Sequence, residues 1–176
     1  MIMPSSSKEG KSEIVEWCRQ LSNVDNILDI GVGKGTYIHL LKKKKLFRES
    51  SWSGIEVWTP YIENYNLKEF YNTIINEDVR KVNFDKLKFD LVFMGDILEH
   101  MTKEEAIQLV TKLSNISTYC VISIPIVHYP QGEAFNNPFE KHVKDDWSHQ
   151  EVLESFPNII KTFQGKKIGC YLLKFK

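Results

Sequence analysis

Cysteine is scarce and scattered. The chain has 176 residues, and only three are cysteine, Cys18, Cys120 and Cys170. The count is odd, no C-x-x-C occurs, and no ligand spacing for structural zinc can be drawn. Reduced, mostly buried thiols in a cytosolic compartment fit this usage, so a cytoplasmic location is expected. Net charge is missing too: 23 Lys and Arg stand against 23 Asp and Glu. A protein that holds nucleic acid mainly through its phosphates needs a basic face, so nucleic acid is not the expected partner, although a local basic patch is compatible with zero net charge. Long apolar runs are absent. The longest, from Val121 to Val127, is interrupted by Ser123 and Pro125 and is too short to span a bilayer. Met1 to Ser7 carries no apolar segment of the secretory kind and reads as a frayed start. There are no repeats and no low-complexity segments. The length fits one domain, residues 1–176, able to bury about two-thirds of its unfolded surface.

What is present is concentrated in Asn26 to Tyr37, reading Asn-Ile-Leu-Asp-Ile-Gly-Val-Gly-Lys-Gly-Thr-Tyr. Ile27, Leu28 and Ile30 form the short apolar run of a strand buried on both faces. Gly31, Gly33 and Gly35 follow at alternate positions, where backbone can turn sharply and a ligand can approach closely. Tyr37, Ile38, Leu40 and Leu41 then carry helical spacing. A strand, a glycine turn and a helix N-terminus form a nucleotide-type pocket; a tight connection without a ligand is the other reading of the same residues. A dinucleotide fingerprint would need glycine at Thr36, and a P-loop would need a glycine five positions before Gly33.

The remaining pattern alternates. A first helix is expected over Lys8 to Ser22, with Ile14, Trp17, Cys18 and Leu21 on one face. Strands are expected at Asn26 to Ile30, Trp52 to Val57, Tyr71 to Ile75, Phe89 to Met94 and Tyr119 to Ile124. A second helix spans Gly35 to Lys45; its terminal lysines, 42–45, suit a solvated helix end better than a nucleic-acid contact. Thr59-Pro60 reads as an N-cap followed by proline at the first helical position. Thr102 with Glu105 reads as a capping box, Met101 and Ala106 as its staple; Ser148 with Glu151 reads as a second box, stapled by Trp147 and Val152. A hairpin, Ile159 to Phe163 and Lys167 to Phe175, closes the chain. Strand and helix in alternation imply an α/β fold with a mostly parallel sheet and helices on both faces, and the hairpin makes the last strand antiparallel. Val127 to Asp146 has no regular pattern. Such long loops are functional or disordered, and the aromatics Tyr129, Phe135 and Phe139, with Trp147 beyond them, argue for order.

The run Leu-Asp-Ile-Gly-x-Gly-x-Gly resembles the first motif of class I S-adenosylmethionine-dependent methyltransferases, and the alternation resembles their Rossmann-like fold of seven strands with a reversed last one. Ligands in such sheets bind beyond the carboxyl ends of the strands. The resemblance implies S-adenosyl-L-methionine as cofactor, with Asp29, Gly31 and Gly33 around its amino-acid end. It implies Glu56 on the ribose hydroxyls, about 20 residues beyond the turn. It implies Asp78 and Val79 on the adenine, and the Gly95 carbonyl on the cofactor's amino group. Gly95-Asp96-Ile97-Leu98-Glu99-His100 looks like the fourth motif of small-molecule methyltransferases and puts Asp96 near the transferred methyl. His100 is a candidate base or a structural histidine.

Removing a hydroxyl proton calls for a group such as histidine, and His128, His142 and His149 are further candidates. His149 opens a capped helix and is the poorest. The segment Asn136-Asn137-Pro138-Phe139-Glu140-Lys141-His142 looks like a subgroup of methyltransferases linked to surface-glycan synthesis, which favours His142 as base, oriented by Glu140 or Asp145. The expected acceptor is a small polar molecule, a sugar or nucleotide-sugar. Asp96, Glu140, Asp145 and Asp146 could gather, but no ligand spacing supports a metal, and none is expected. The alternatives are a methyltransferase of nucleic acid or protein, and an inactive cofactor-binding module. Against base methylation, the amino-methylating motif Asn/Asp-Pro-Pro-Phe/Tyr is missing after the fourth strand.

Overall fold

A computed structural model describes residues 7–134 and 136–176. Residues 1–6 of the expected frayed start, and the aromatic Phe135, lie outside the described residues. The elements follow in order: α1 (Lys11–Arg19), β1 (Asn26–Ile30), α2 (Thr36–Lys43), β2 (Ser51–Ile55), α3 (Thr59–Asn64), β3 (Thr73–Ile75), β4 (Phe89–Gly95), α4 (Lys103–Ile116), β5 (Ser117–Pro125), α5 (His149–Ser155), β6 (Ile159–Gln164) and β7 (Ile168–Lys174). One seven-stranded sheet runs β3-β2-β1-β4-β5-β7-β6. β1 pairs in parallel with β2 and β4, β2 with β3 and β4 with β5, whereas β7 is antiparallel to both β5 and β6. This is the α/β architecture expected from the alternation.

The two faces of the sheet are covered separately. On one face Ile14, Trp17, Tyr37, Leu41 and Ile62, from α1, α2 and α3, pack on Ile27, Trp52 and Phe93. On the other, Ala106, Leu109, Leu113 and Val152, from α4 and α5, pack on Leu28, Val92, Cys120 and Tyr171. Residues of β1 alternate between the two clusters, as period-two side chains must. Trp52 is completely buried and stacks on Phe93 with ring planes 6° apart.

Local chemistry explains most helix ends. Thr102 accepts the Glu105 amide, and the Glu105 carboxylate accepts the Thr102 amide, so the first capping box is complete. The second is half a box: Ser148 caps α5 by accepting the Glu151 amide, but the Glu151 carboxylate pairs with Lys103 and Lys144. Two cations outcompete one backbone amide for it. α3 also begins differently from expectation. Its N-cap is Trp58, not Thr59, and the Thr59 hydroxyl donates to Asn76 Oδ1 at 2.8 Å, tying the β2 and β3 exits together.

Register is what builds the site. Ile30 lies opposite Ile55 in β2 and Met94 in β4, and Ile55 lies opposite Ile75 in β3. The next residue of each strand therefore emerges at one level: Gly31, Glu56, Asn76 and Gly95. The sheet order reverses between β1 and β4, leaving a crevice there because consecutive connections diverge to opposite sides.

Candidate active site

A cleft of about 600 Å³ opens beyond these strand ends. Its floor is backbone. Gly31, Gly33 and Gly35 all have positive φ, at 68°, 54° and 75°. A side chain at Gly31 would meet Ile97 at 1.8 Å, whereas the space above Gly33 is open, with only the Gly31 carbonyl at 3.9 Å. Gly95 is equally constrained, since a Cβ there would meet the Tyr37 ring at 2.4 Å. The Tyr37 hydroxyl accepts a 2.8 Å bond from the Lys11 ammonium, which is buried. Burial pushes the Lys11 pKa down, opposed by the nearby charge of Asp96. Sequence reasoning passed over Lys11, because a lysine in a first helix gives no sign that it will be covered.

Glu56 is 5% exposed and stands in the cleft wall. Its Oε2 accepts the Gly33 amide at 2.9 Å and its Oε1 the Trp58 amide at 2.8 Å. Burial raises its pKa, and the two amide bonds act against that rise. Each carboxylate oxygen keeps a further lone pair for a ligand hydroxyl. Asp29 sits differently. It is buried in β1, accepts the Tyr71 hydroxyl at 2.6 Å and does not line the cleft or its side pocket. Burial pushes its carboxyl up to about 7.

A raised carboxyl pKa has a sign in stability. The folded chain keeps a proton that the unfolded chain has released, so the stability present below the unfolded pKa is lost as pH rises toward the folded one. For Asp29 the window runs from about 4 to about 7. The melting temperature should fall across that window, and Asp29→Asn, which keeps an acceptor for Tyr71, should make the fall shallower. Equal slopes in a thermal scan against pH would clear Asp29 of the effect.

A side pocket of about 240 Å³ continues the cleft between the β3 exit and the 98–100 turn. Asp78 and Val79 line it, as do Ile30, Ile55 and Met101. Asp78 also pairs with Arg80, whose Nη2 lies 2.6 Å from Oδ2, and this pairing lowers the Asp78 pKa. The arginine partner was not anticipated, although Asp78 and Arg80 are close in sequence. The two cavities share Gly31, Val57, Ile97, His100 and Phe139 as walls.

A further wall of the cleft is made by the segment after β5. The segment folds back on itself: the Tyr129 amide donates to the Asp145 carbonyl and the His142 amide to the Gln131 carbonyl, at 2.7 and 2.9 Å. The amides of Val143 and Lys144 both donate to the Glu99 carbonyl, at 2.8 and 3.1 Å. Tyr61, from α3, reaches across and donates to Glu140 Oε1 at 2.9 Å. His142 is thereby set against His100, ring centroids 5.0 Å apart. Glu140 and Asp145, expected to orient His142, are engaged elsewhere; its Nδ1 lies 2.6 Å from the Tyr129 carbonyl oxygen. His100 Nδ1 lies 3.1 Å from the Lys141 carbonyl oxygen. A carbonyl only accepts, so both rings donate from Nδ1, and in the neutral form of either ring Nε2 is the acceptor. Burial lowers the His100 pKa.

Asp96, at a φ of 57°, lines the same cleft, and its Oδ1 is buried with no partner among the described residues. Glu99 is 2% exposed, and its Oε2 is likewise without a partner. Burial, reinforced by the charge of Asp96, holds the Glu99 carboxyl well above the usual range. One ligand atom each from Glu99, His100 and His142 lies within 4.8 Å of the others. Glu99 stands in the Gly95–His100 motif, but spacing does not disclose its burial. Tyr61, Tyr65, Tyr129 and Phe139 add an aromatic wall. Of the other histidines, His128 is exposed beside Asp145, and His149 bonds the Tyr171 hydroxyl at 2.8 Å; neither lines the cleft.

The arrangement has a backbone floor, a carboxylate in one wall, a mostly apolar side pocket and two adjacent imidazoles in another wall. Residues 27–117 match a family model described as a methyltransferase domain. No curated protein matches the sequence. Among solved structures, the N-terminal domain of EvdMO1 with SAH bound is similar over 97% of this chain and 83% of its own, at 13% identity and a TM-score of 0.70. An S-adenosylmethionine-dependent methyltransferase from Clostridium acetobutylicum is similar over 93% of this chain and 89% of its own, at 12% identity and a TM-score of 0.70. Magnesium protoporphyrin IX methyltransferase from Synechocystis, with bound SAM, is similar over 94% of this chain and 77% of its own, at 14% identity and a TM-score of 0.63. At such identities the likeness is one of fold, whereas the family match covers more than half of the chain. The chain belongs to the methyltransferase-domain family, with the fold of class I S-adenosylmethionine-dependent methyltransferases.

Proposed function

We propose that the chain is an O-methyltransferase acting on a hydroxyl of a small polar acceptor, a sugar or nucleotide-sugar of the kind used in glycan synthesis, and that residues 1–176 work as one cytoplasmic domain. The observation that carries this reading is the pair of imidazoles, His100 and His142, which both line the cleft and each donate from Nδ1 to a backbone carbonyl. Gly31, Gly33 and Gly95 let cofactor lie against backbone. Glu56 takes the ribose hydroxyls, Asp78 and Val79 meet the adenine in the side pocket, and Asp29, held by the Tyr71 hydroxyl, lies behind the cofactor's amino-acid end. The aromatic wall suits the apolar face of a sugar ring. The EvdMO1 domain has also been crystallised in the presence of SAH and D-fucose, which supports a sugar by analogy of fold alone. Three free, buried cysteines fit a reducing compartment. Among the described residues no helix is long and apolar enough to cross a membrane.

The acceptor oxygen attacks the methyl carbon, the carbon–sulfur pair returns to sulfur, and the hydroxyl proton passes to His142. Asp96 holds the hydroxyl in line with the departing sulfur, and His100 flanks it. Alignment lowers the barrier by several kcal/mol, and a positioned base contributes about 100- to 10,000-fold. Balanced charge and the missing amino-methylating motif make nucleic acid the weaker choice.

The test is transfer of labelled methyl from S-adenosylmethionine to a panel of sugars, nucleotide-sugars, RNA, DNA and peptides. Label on a sugar or nucleotide-sugar oxygen is expected. Label only on nucleic acid or peptide would overturn the acceptor assignment, and cofactor binding without transfer to any member would favour the inactive module.

A further inference from the structure

We propose that Glu99, His100 and His142 hold a divalent first-row transition cation at the acceptor end of the cleft, where it binds the acceptor hydroxyl. This rests on the cleft being the methyl-transfer site, and it recasts His142 from base to ligand.

Three independent features converge on the site. The first is distance: one donor atom from each residue lies within 4.8 Å of the other two. Bonds of about 2.0–2.2 Å put ligands of one ion no more than about 4.4 Å apart, so a small contraction closes the shell. The second is orientation. Each imidazole is locked by an Nδ1–H bond to a backbone carbonyl, from Lys141 for His100 and from Tyr129 for His142. Metal-bound histidines are held in just this way, with the outer nitrogen donating and the inner one free to ligate. The two rings so held stand with centroids 5.0 Å apart. The third is Glu99. It is 2% exposed, and its Oε2 has no partner among the described residues, a buried acceptor that a cation would satisfy.

The scaffold keeps these groups together. His142 is far from Glu99 in sequence, yet the two amides following it both donate to the Glu99 carbonyl. Two imidazoles and one carboxylate favour a first-row transition ion over Mg²⁺ or Ca²⁺, which take mostly oxygen ligands. The three protein ligands leave coordination positions for the acceptor. The bound hydroxyl is acidified by the ion. Its proton passes to Asp96, whose buried Oδ1 has no partner. The oxygen then forms its bond to the methyl carbon as the carbon–sulfur bond breaks, its electron pair going to sulfur.

The full chain, stripped with EDTA and desalted, is titrated with Mn²⁺ followed by electron paramagnetic resonance, and with Co²⁺ and Zn²⁺ by calorimetry. One site per chain is expected. Glu99→Gln and His142→Ala should each weaken it at least about 100-fold, the upper end of what loss of an outer-shell partner costs. S-adenosylhomocysteine affinity should stay within about threefold in both variants, reporting an intact fold, since neither residue is assigned to the cofactor. Failure of all three cations to bind would overturn the proposal, as would undiminished binding in both variants. Failure of the wild type to bind S-adenosylhomocysteine would overturn the transfer reading instead, and the cation titrations would still decide the site.

Discussion

Glu56→Ala is expected to raise the dissociation constant for S-adenosylhomocysteine by about 100-fold or more. A hydrogen bond to a charged group is worth about 1.5–3 kcal/mol, and the substitution removes the acceptors proposed for two ribose hydroxyls. It also releases the Gly33 and Trp58 amides from a carboxylate that bonds both. The first of these holds the glycine turn, so part of the loss comes from a turn no longer preorganised for the ligand. Glu56→Gln keeps the volume and one carbonyl acceptor, and should fall between the alanine variant and the wild type. Turnover at saturating cofactor should change far less than affinity, because the role proposed for Glu56 is on the ribose and not on the reacting atoms. Calorimetric titration decides this: an affinity within about threefold of the wild type would remove Glu56 from the cofactor site.

His142→Ala should have the opposite signature. Turnover falls by about 100- to 10,000-fold, the range for a lost acid–base group, while S-adenosylhomocysteine affinity is retained. The ring is positioned by the Tyr129 carbonyl and by its own amide bond to Gln131, so truncation leaves the surrounding backbone in place. Chelation of the wild type separates the two roles available to this nitrogen. If EDTA lowers wild-type turnover to the variant's level, and Mn²⁺ restores the wild type alone, His142 acts as a ligand. If EDTA has no effect and the variant loses the acid limb of the pH–rate profile, it acts as a base. Wild-type turnover in His142→Ala would exclude it from both.

Some features were legible early because their causes are local. The Gly31–Gly35 turn follows from glycine's tolerance of positive φ, and the Thr102–Glu105 box from side chains one turn apart. Locality also explains the failures. At Thr59 the cap chemistry was right for the residue type, but Asn76, brought in by β3, offered the hydroxyl another partner. At Glu151 the cations Lys103 and Lys144 arrive from other elements and take the carboxylate. The resemblance puts Asp29 near the cofactor's amino-acid end, whereas its side chain meets Tyr71 and lines neither cavity. In a strand buried on both faces its direction depends on what packs there, and Tyr71 occupies that side.

By itself, then, the sequence determined the alternating fold, the glycine turn, and which polar residue follows each central strand, since periodicity and turn chemistry act over a few residues. The tertiary structure alone decided that Ile30, Ile55, Ile75 and Met94 share one level and so gather Gly31, Glu56 and Gly95 into one cleft. It alone brought His142 onto Glu99 and His100, because that meeting depends on backbone bonds between segments far apart in the chain, which no spacing encodes.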